Sequence, residues 1–298
     1  MKTSSANGLT NLGEKYPKIV FAAKLAVFLI ASAYLADYFL SYDIARILLK
    51  ASIIPLLAGL LLSAAGFFLQ VLFLKELSGG KLSFHDSFKV EFYAFLLNMG
   101  IASSFFSLPK IALINGKVKN MSDSLKLFAA PLLFGTASRL AVIAFSGAWI
   151  YAGKTYALAS LAVIAVAFAT TLKLPWVRGR LPARLHGKAL AILLGIGLLN
   201  VVCVCASYYL VLSSVSAAQV RPANAIFCEG VGYIAGLVSP MPSGLGVREF
   251  ALTELNNVLQ VPKDVALAAA VLHRLIIASG PIAVGLAFFA AASVRKDS

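Results

Sequence analysis

Charge is scarce in this chain, and acid is scarcest. Of 298 residues only 13% are Asp, Glu, Lys or Arg, and 12 acidic residues face 26 basic ones. A water-soluble domain carries about 25% charged residues, so a chain exposed to water on all sides is excluded. Cysteine is scarce too. Cys203, Cys205 and Cys228 all fall inside apolar runs, where they read as small packing residues and not as a disulfide framework. Cys203 and Cys205 are two apart, so on a helix they point to nearly opposite faces and do not suit one metal. No HExxH, P-loop or nucleophile elbow is present, and the Gly195-x-Gly197 pair sits within an apolar run and not after a strand. No cofactor, no metal and no catalytic centre are therefore expected.

What is abundant is apolar sequence. Hydrophobic residues make up 60% of the chain and mean hydropathy is +0.88. Runs at 19–40, 52–74, 127–150, 155–172, 189–212 and 265–292 each reach about 18 residues, the length that crosses a hydrocarbon core of about 30 Å. The longest gaps, around 75–90, 109–126 and 173–188, are too short for a soluble domain. The fold class expected is an all-α polytopic membrane protein, one integral membrane domain over 1–298. The stretch Ala31-Ser32-Ala33 resembles a cleavage site, but the apolar run continues to Leu40, so the first span is read as uncleaved. The net charge of +14 flanks the runs, as orientation signals and headgroup contacts do. A membrane partner is expected, and no nucleic acid.

Charge also orients the chain. If 91–120 enters and leaves on one side, 17 basic residues lie on the cytoplasmic side and 5 outside; if 91–108 crosses fully, the split is 13 to 9. The positive-inside rule prefers the first. This gives a re-entrant hairpin with Pro109 near its tip and both termini cytoplasmic, in a bacterial or archaeal cytoplasmic membrane. A second hairpin follows from length. Arms 224–238 and 245–259 have 15 residues each, about 22 Å as helix, too short to cross comfortably. The chain then divides into halves 19–150 and 155–292, each reading span, span, hairpin, span. Six full spans plus two re-entrant hairpins result. Three crossings per half invert the second relative to the first, the inverted-repeat plan of many transporters. Pro109 echoes Pro242, and Arg139 echoes Arg274.

The second hairpin turns through SPMPSGLGVREF, residues 239–250. Non-helical backbone at membrane depth is tolerated only where protein or water surrounds it. Pro240 and Pro242 remove two amide donors that would need partners. Gly244 and Gly246 permit tight turning and close approach, and Ser243 is placed to cap the helix that follows. The amides of its first turn and the helix dipole favour an anion, and Arg248 adds a full charge. A mid-bilayer charge costs at least about 2.5–3.5 kcal/mol and so faces protein or water. Arg139, Arg248 and Arg274 read as a cationic lining, with Glu229 and Glu249 as counter-charges. His273 reads as a packing residue, and Gly232-x-x-x-Gly236 as a helix-packing pattern.

The block from Ser239 to Arg274 resembles the signature of the lysylphosphatidylglycerol synthase transmembrane region, a flippase-like integral membrane family. That signature is a proline and glycine loop, then Gly-x-Gly-x-x-Glu, then about 25 residues to an arginine. It falls here on Pro240, Pro242, Gly244, Gly246, Glu249 and Arg274. The first half departs from the family pattern: Pro109 is followed by Lys110-Ile111-Ala112-Leu113, without glycine or glutamate, and Arg139 is preceded by Ser138. Length and hydropathy extend the resemblance over nearly the whole chain.

The resemblance implies a lipid translocase module. In the best-known members a cytoplasmic aminoacyl-transferase domain accompanies it. This chain ends about six residues after its last apolar run, so that domain is expected to be absent. The function expected is a flippase-like translocase for an anionic phospholipid or lipid-linked intermediate, not an enzyme. Two alternatives stand beside it. One is an intramembrane transferase acting on a polyprenyl-phosphate lipid, with Glu229 or Glu249 as base. The other is a non-transporting scaffold for a cytoplasmic transferase, docked through 173–188.

Overall fold

The structure is a computed structural model that describes residues 44–100, 107–153, 155–160, 188–217, 219–239 and 244–294. The run expected at 19–40 and most of that at 155–172 lie outside the described residues, as do Pro240, Pro242 and Ser243. The described chain is helical throughout, without a strand. A short α1 (Ile44–Leu49) leads into α2 (Ile53–Leu77). Two short helices follow, α3 (Phe84–Gly100) and α4 (Ser107–Val118), then the long α5 (Met121–Ala152). The second half is α6 (Lys188–Val215), the short α7 (Pro222–Val238) and α8 (Val247–Val258), and the long α9 (Lys263–Val294).

Among the described residues, four helices are long and apolar enough to cross a membrane: α2, α5, α6 and α9. Each contains one of the runs expected from sequence at 52–74, 127–150, 189–212 and 265–292. In every one of them less than half of the most apolar stretch is buried by protein. Leu57, Leu61, Leu140, Leu199 and Leu286 stay exposed, an outer surface suited to hydrocarbon and not to water. The protein is a multi-pass, membrane-embedded helical protein.

The order long helix, two short helices, long helix occurs twice, and the lengths match. The short helices have 17 and 12 residues in both cases, and the closing helices both have 32. A shift of 138 residues, from Phe84 to Pro222, carries α3 onto α7 end to end. The same shift carries one buried core onto the other. Phe73, Leu74, Leu82, Val90 and Ile114 of the first become Val211, Leu212, Val220, Cys228 and Leu252 of the second. The pairs of Pro109 with Pro242 and of Arg139 with Arg274 do not share this register.

The two halves meet mainly through α2 and α6. Asn200 Nδ2 donates to the Gly66 carbonyl at 2.7 Å, and Ser207 Oγ to the Gly59 carbonyl at 2.9 Å. Numbers rise on one helix as they fall on the other, so α2 and α6 are antiparallel. Inside the apolar seam these side chains meet their donor requirement on main-chain oxygens, as buried polar groups must.

The first hairpin departs from the sequence reading at two points. Its ascending arm begins at Phe84, seven residues before the expected 91, because His85, Asp86 and Lys89 read as loop. Ser83 Oγ accepts from the Asp86 amide at 3.0 Å and so caps this helix start. Pro109 is the third residue of α4 and not a turn residue, in the first turn, where a missing amide costs no helical bond. The arms pack together through Lys110 with Glu91 and Lys117 with Asp86, and Lys81 joins Asp123 at the start of α5.

Candidate functional site

The site is built where α7, α8 and α9 pack with α6 and α5. Small residues make the approach possible. A Cβ on Gly232 would come within 2.9 Å of the Leu252 side chain. Gly244, at φ +66°, is in the left-handed region, and a Cβ there would lie 2.4 Å from Gly236 Cα. Only glycine satisfies both the conformation and the contact. The pattern Gly232-x-x-x-Gly236 thus does the helix packing expected of it. On the other side of α7, a Cβ on Gly230 would come within 2.5 Å of Ile143, so α5 lies equally close.

This packing delivers a chain of charged groups. Arg248, second residue of α8, donates from Nη2 to both Glu229 oxygens at 3.1 and 2.9 Å. The same nitrogen lies 2.9 Å from His273 Nδ1. A guanidinium has donors only, so Nδ1 is the acceptor and His273 carries its proton on Nε2 as a neutral ring. Glu249 joins Arg248 of α8 to Arg274 of α9. Its Oε1 accepts from Arg274 Nε at 2.6 Å and lies 4.0 Å from Arg248 Nη1. Its Oε2 accepts from the Gly246 amide at 2.8 Å. Arg139 reaches in from α5, with its guanidinium 3.6 Å above the Tyr233 ring centroid, one helical turn from Glu229. Beneath lies a polar floor: Asn256 Nδ2 donates to Tyr208 Oη at 2.8 Å, and the Tyr208 ring packs edge-on against His273.

Burial decides what these groups mean. Glu229, Arg248, Glu249 and His273 are all less than one-tenth exposed, while the Arg274 side chain is one-quarter exposed. Charges so placed require partners, because desolvation costs several kcal/mol per ion. Arg248 and Arg274 pair with Glu229 and Glu249, and Arg139, seated on the Tyr233 ring, adds a third positive charge beside them. Arg248 Nη1 is buried and makes no hydrogen bond.

Of the residues singled out from sequence, Glu229, Arg248, Glu249 and Arg274 are gathered into this one network, and Arg139 lies beside it on the Tyr233 ring. Gly244 and Gly246 shape the turn into α8, with Gly246 at φ +81°. One expectation changes: the helix begins at Val247 and not near Gly244, and the Glu249 side chain accepts from the Gly246 amide; the cap expected at Ser243 lies outside the described residues. The start of α8 therefore already holds a carboxylate from its own first turn. Pro109 lies in the other hairpin, outside this network. Sequence reasoning passed over Tyr208 and Asn256, and read His273 as packing. The available signal was that each is a polar residue inside an otherwise apolar run.

The fold and this network define a polytopic helical membrane protein with a buried, charged polar site beside a short helix pair. A profile of the family described as the lysylphosphatidylglycerol synthase TM region matches residues 102–285, more than half of the chain and all of α4 to α8. The chain belongs to this family. No curated protein matches it.

Proposed function

We propose that the protein is a flippase-like lipid translocase that moves or presents an anionic phospholipid, or a lipid-linked intermediate, across the cytoplasmic membrane. The observation that carries this reading is Arg248 Nη1 at the start of α8, buried and without a hydrogen bond, with the Arg139 charge close by on the Tyr233 ring. A phosphate-bearing headgroup offers the acceptor oxygens and the negative charge that such a place favours. Partly exposed Arg274 is its point of first contact. Glu249, which occupies the Gly246 amide and Arg274, is the group the headgroup displaces. Membership in a family named for a lipid-synthase membrane region supports a lipid as ligand.

The architecture in this reading is six spans and two re-entrant hairpins as an inverted repeat, with both termini cytoplasmic. Arms of 17 and 12 residues reach about 25 and 18 Å, short of the hydrocarbon thickness. Antiparallel packing of α2 on α6, which correspond at the 138-residue shift seen from Phe84 to Pro222, supports inversion. Halves related in this way exchange access by rocking against one another around a central site. Both carboxylates are held by arginines, which favours binding over base catalysis and so transport over a transferase.

The test uses purified protein in vesicles of phosphatidylcholine with labelled phosphatidylglycerol. The expected result is a change of headgroup exposure without any covalent change, lost in Arg274→Ala. A new lipid product assigns the transferase instead. Unchanged exposure with wild-type protein overturns the reading.

A further inference from the structure

The first hairpin contains an ion pair laid out on the plan of the second. Lys110 Nζ donates to both Glu91 oxygens, at 2.7 and 2.7 Å. Glu91 lies on the first arm and Lys110 in the first turn of the return arm, 19 residues apart. Glu229 and Arg248 hold the same two places, also 19 residues apart. The shift of 138 that carries Phe84 to Pro222 also carries Glu91 to Glu229 and Lys110 to Arg248. Two carboxylates and two bases in register, within helices of equal length and over cores in register, are not what independent surface pairing produces.

We propose that Lys110 is a second binding position for a phosphate-bearing headgroup, the counterpart of Arg248 in the first half. This inference rests on the translocase reading. The two positions differ in strength. Arg248 is shared among Glu229, Glu249 and His273, whereas among the described residues Glu91 alone holds Lys110, whose side chain is 17% exposed. A lysine is a compact, hydrated point charge, more readily exchanged between partners than a guanidinium fixed in a fork. Residues 75–126 carry seven lysines against Glu76, Asp86, Glu91 and Asp123, so the surroundings attract an anion. Lys110 is the place where a headgroup rests on entering or leaving, and Arg248 the place where it is held deep. Glu91 and Glu229 keep each base neutralised when no headgroup is present.

A charge swap distinguishes a binding position from a brace. The swapped variant E91K/K110E keeps the ion pair but moves the cation from α4 to α3. With labelled phosphatidylglycerol in proteoliposomes, Lys110→Ala is expected to slow exchange of headgroup exposure at least tenfold, and Lys110→Arg to retain it. E91K/K110E is expected to unfold within a few degrees of wild type in detergent yet exchange lipid as slowly as Lys110→Ala. Exchange restored by the swap overturns the proposal, since the pair is then a brace alone; so does normal exchange in Lys110→Ala. Arg248→Lys, measured in parallel, separates the two readings. Slowed exchange there with normal exchange in Lys110→Ala sinks only the second position, and normal exchange in both sinks the translocase site as well. Addition of inorganic phosphate tells which source is recognised: competition assigns the phosphate group alone, and competition only by unlabelled phosphatidylglycerol vesicles assigns the lipid. Failure of both to compete overturns the proposal.

Discussion

The two hairpins share a backbone plan and differ in what they enclose. Both have arms of 17 and 12 residues and a base in the first turn of the return arm clasped by a glutamate of the other arm. Around Glu91 and Lys110, little else among the described residues is charged and buried. Around Glu229 and Arg248 lie Glu249, His273, Arg274 and Arg139, with Tyr208 and Asn256 beneath. The second hairpin also has two glycines with positive φ, Gly244 and Gly246, where α8 begins. Equal geometry with unequal chemistry indicates that the fold provides the frame twice and that specialisation lies in the residues added to one copy.

The sharpest way to break this comparison is to remove the base from each pair. Arg248→Ala leaves Glu229 buried and unpaired, a loss expected to reach about 3–5 kcal/mol. Lys110→Ala leaves a carboxylate closer to the exterior, with a loss of about 1–3 kcal/mol, between the surface and buried cases. Denaturant unfolding in one detergent measures both; equal losses contradict the asymmetry.

A second contrast uses glycine. Gly244→Ala forces a β-carbon against Gly236 in the left-handed region, a cost of at least about 2 kcal/mol. Gly116, in α4, has nothing within 4 Å of a β-carbon, so Gly116→Ala is expected to gain about 0.5–1 kcal/mol from helix propensity. Thermal unfolding of the two variants decides whether Gly244 is required by its close approach to Gly236.

Tyr208→Phe removes the hydroxyl that accepts from Asn256, while the Leu252 carbonyl still takes that amide at 2.7 Å. The expected loss is about 1 kcal/mol, read from the same unfolding curves.

The smallest effect is set by pH. The hydrogen bond from Lys117, then that from Ser83, holds the Asp86 carboxyl below its ordinary value; Lys81 does the same for Asp123. A folded-state value below the unfolded one makes their contribution complete above about pH 4 and lost as pH falls through the depressed value. Stability attributable to this end of the first hairpin should therefore be flat from pH 7 to 5 and decline only below about 4. D86N/D123N should flatten the acid limb, which titration of unfolding midpoints checks.

Much of this was legible in the residues. The continuous runs at 52–74, 127–150, 189–212 and 265–292 became α2, α5, α6 and α9, because a helix crossing lipid cannot hide its length. The pair of short helices α7 and α8 was legible from two undersized apolar arms around a stretch rich in proline and glycine. The start of α3 was not: His85, Asp86 and Lys89 look like loop residues, yet Asp86 and Glu91 are taken up by lysines of α4, so polarity there reflects ion pairing between arms. The register between halves was hidden for a different reason. It preserves apolar volume and charge sign but not residue type, pairing Phe73 with Val211, Val90 with Cys228 and Lys110 with Arg248. The prolines and arginines that look alike, Pro109 with Pro242 and Arg139 with Arg274, are out of register. The capping role of Glu249 escaped because Ser243 is the conventional cap, whereas a glutamate reaching back to the amide before its own helix needs the turn geometry to be seen.

The central claim is that the start of α8 receives a negative headgroup through Arg248. Replacing both partners of its ion pair, as E229Q/R248Q, removes the cation without stranding a buried charge, which keeps the fold accessible to measurement. Native mass spectrometry of wild-type and variant protein, released from vesicles containing equal phosphatidylglycerol and phosphatidylcholine, counts the lipid retained. The account predicts that wild-type protein keeps phosphatidylglycerol in preference and that the double variant loses that preference while unfolding normally. Equal preference in the two proteins would contradict it.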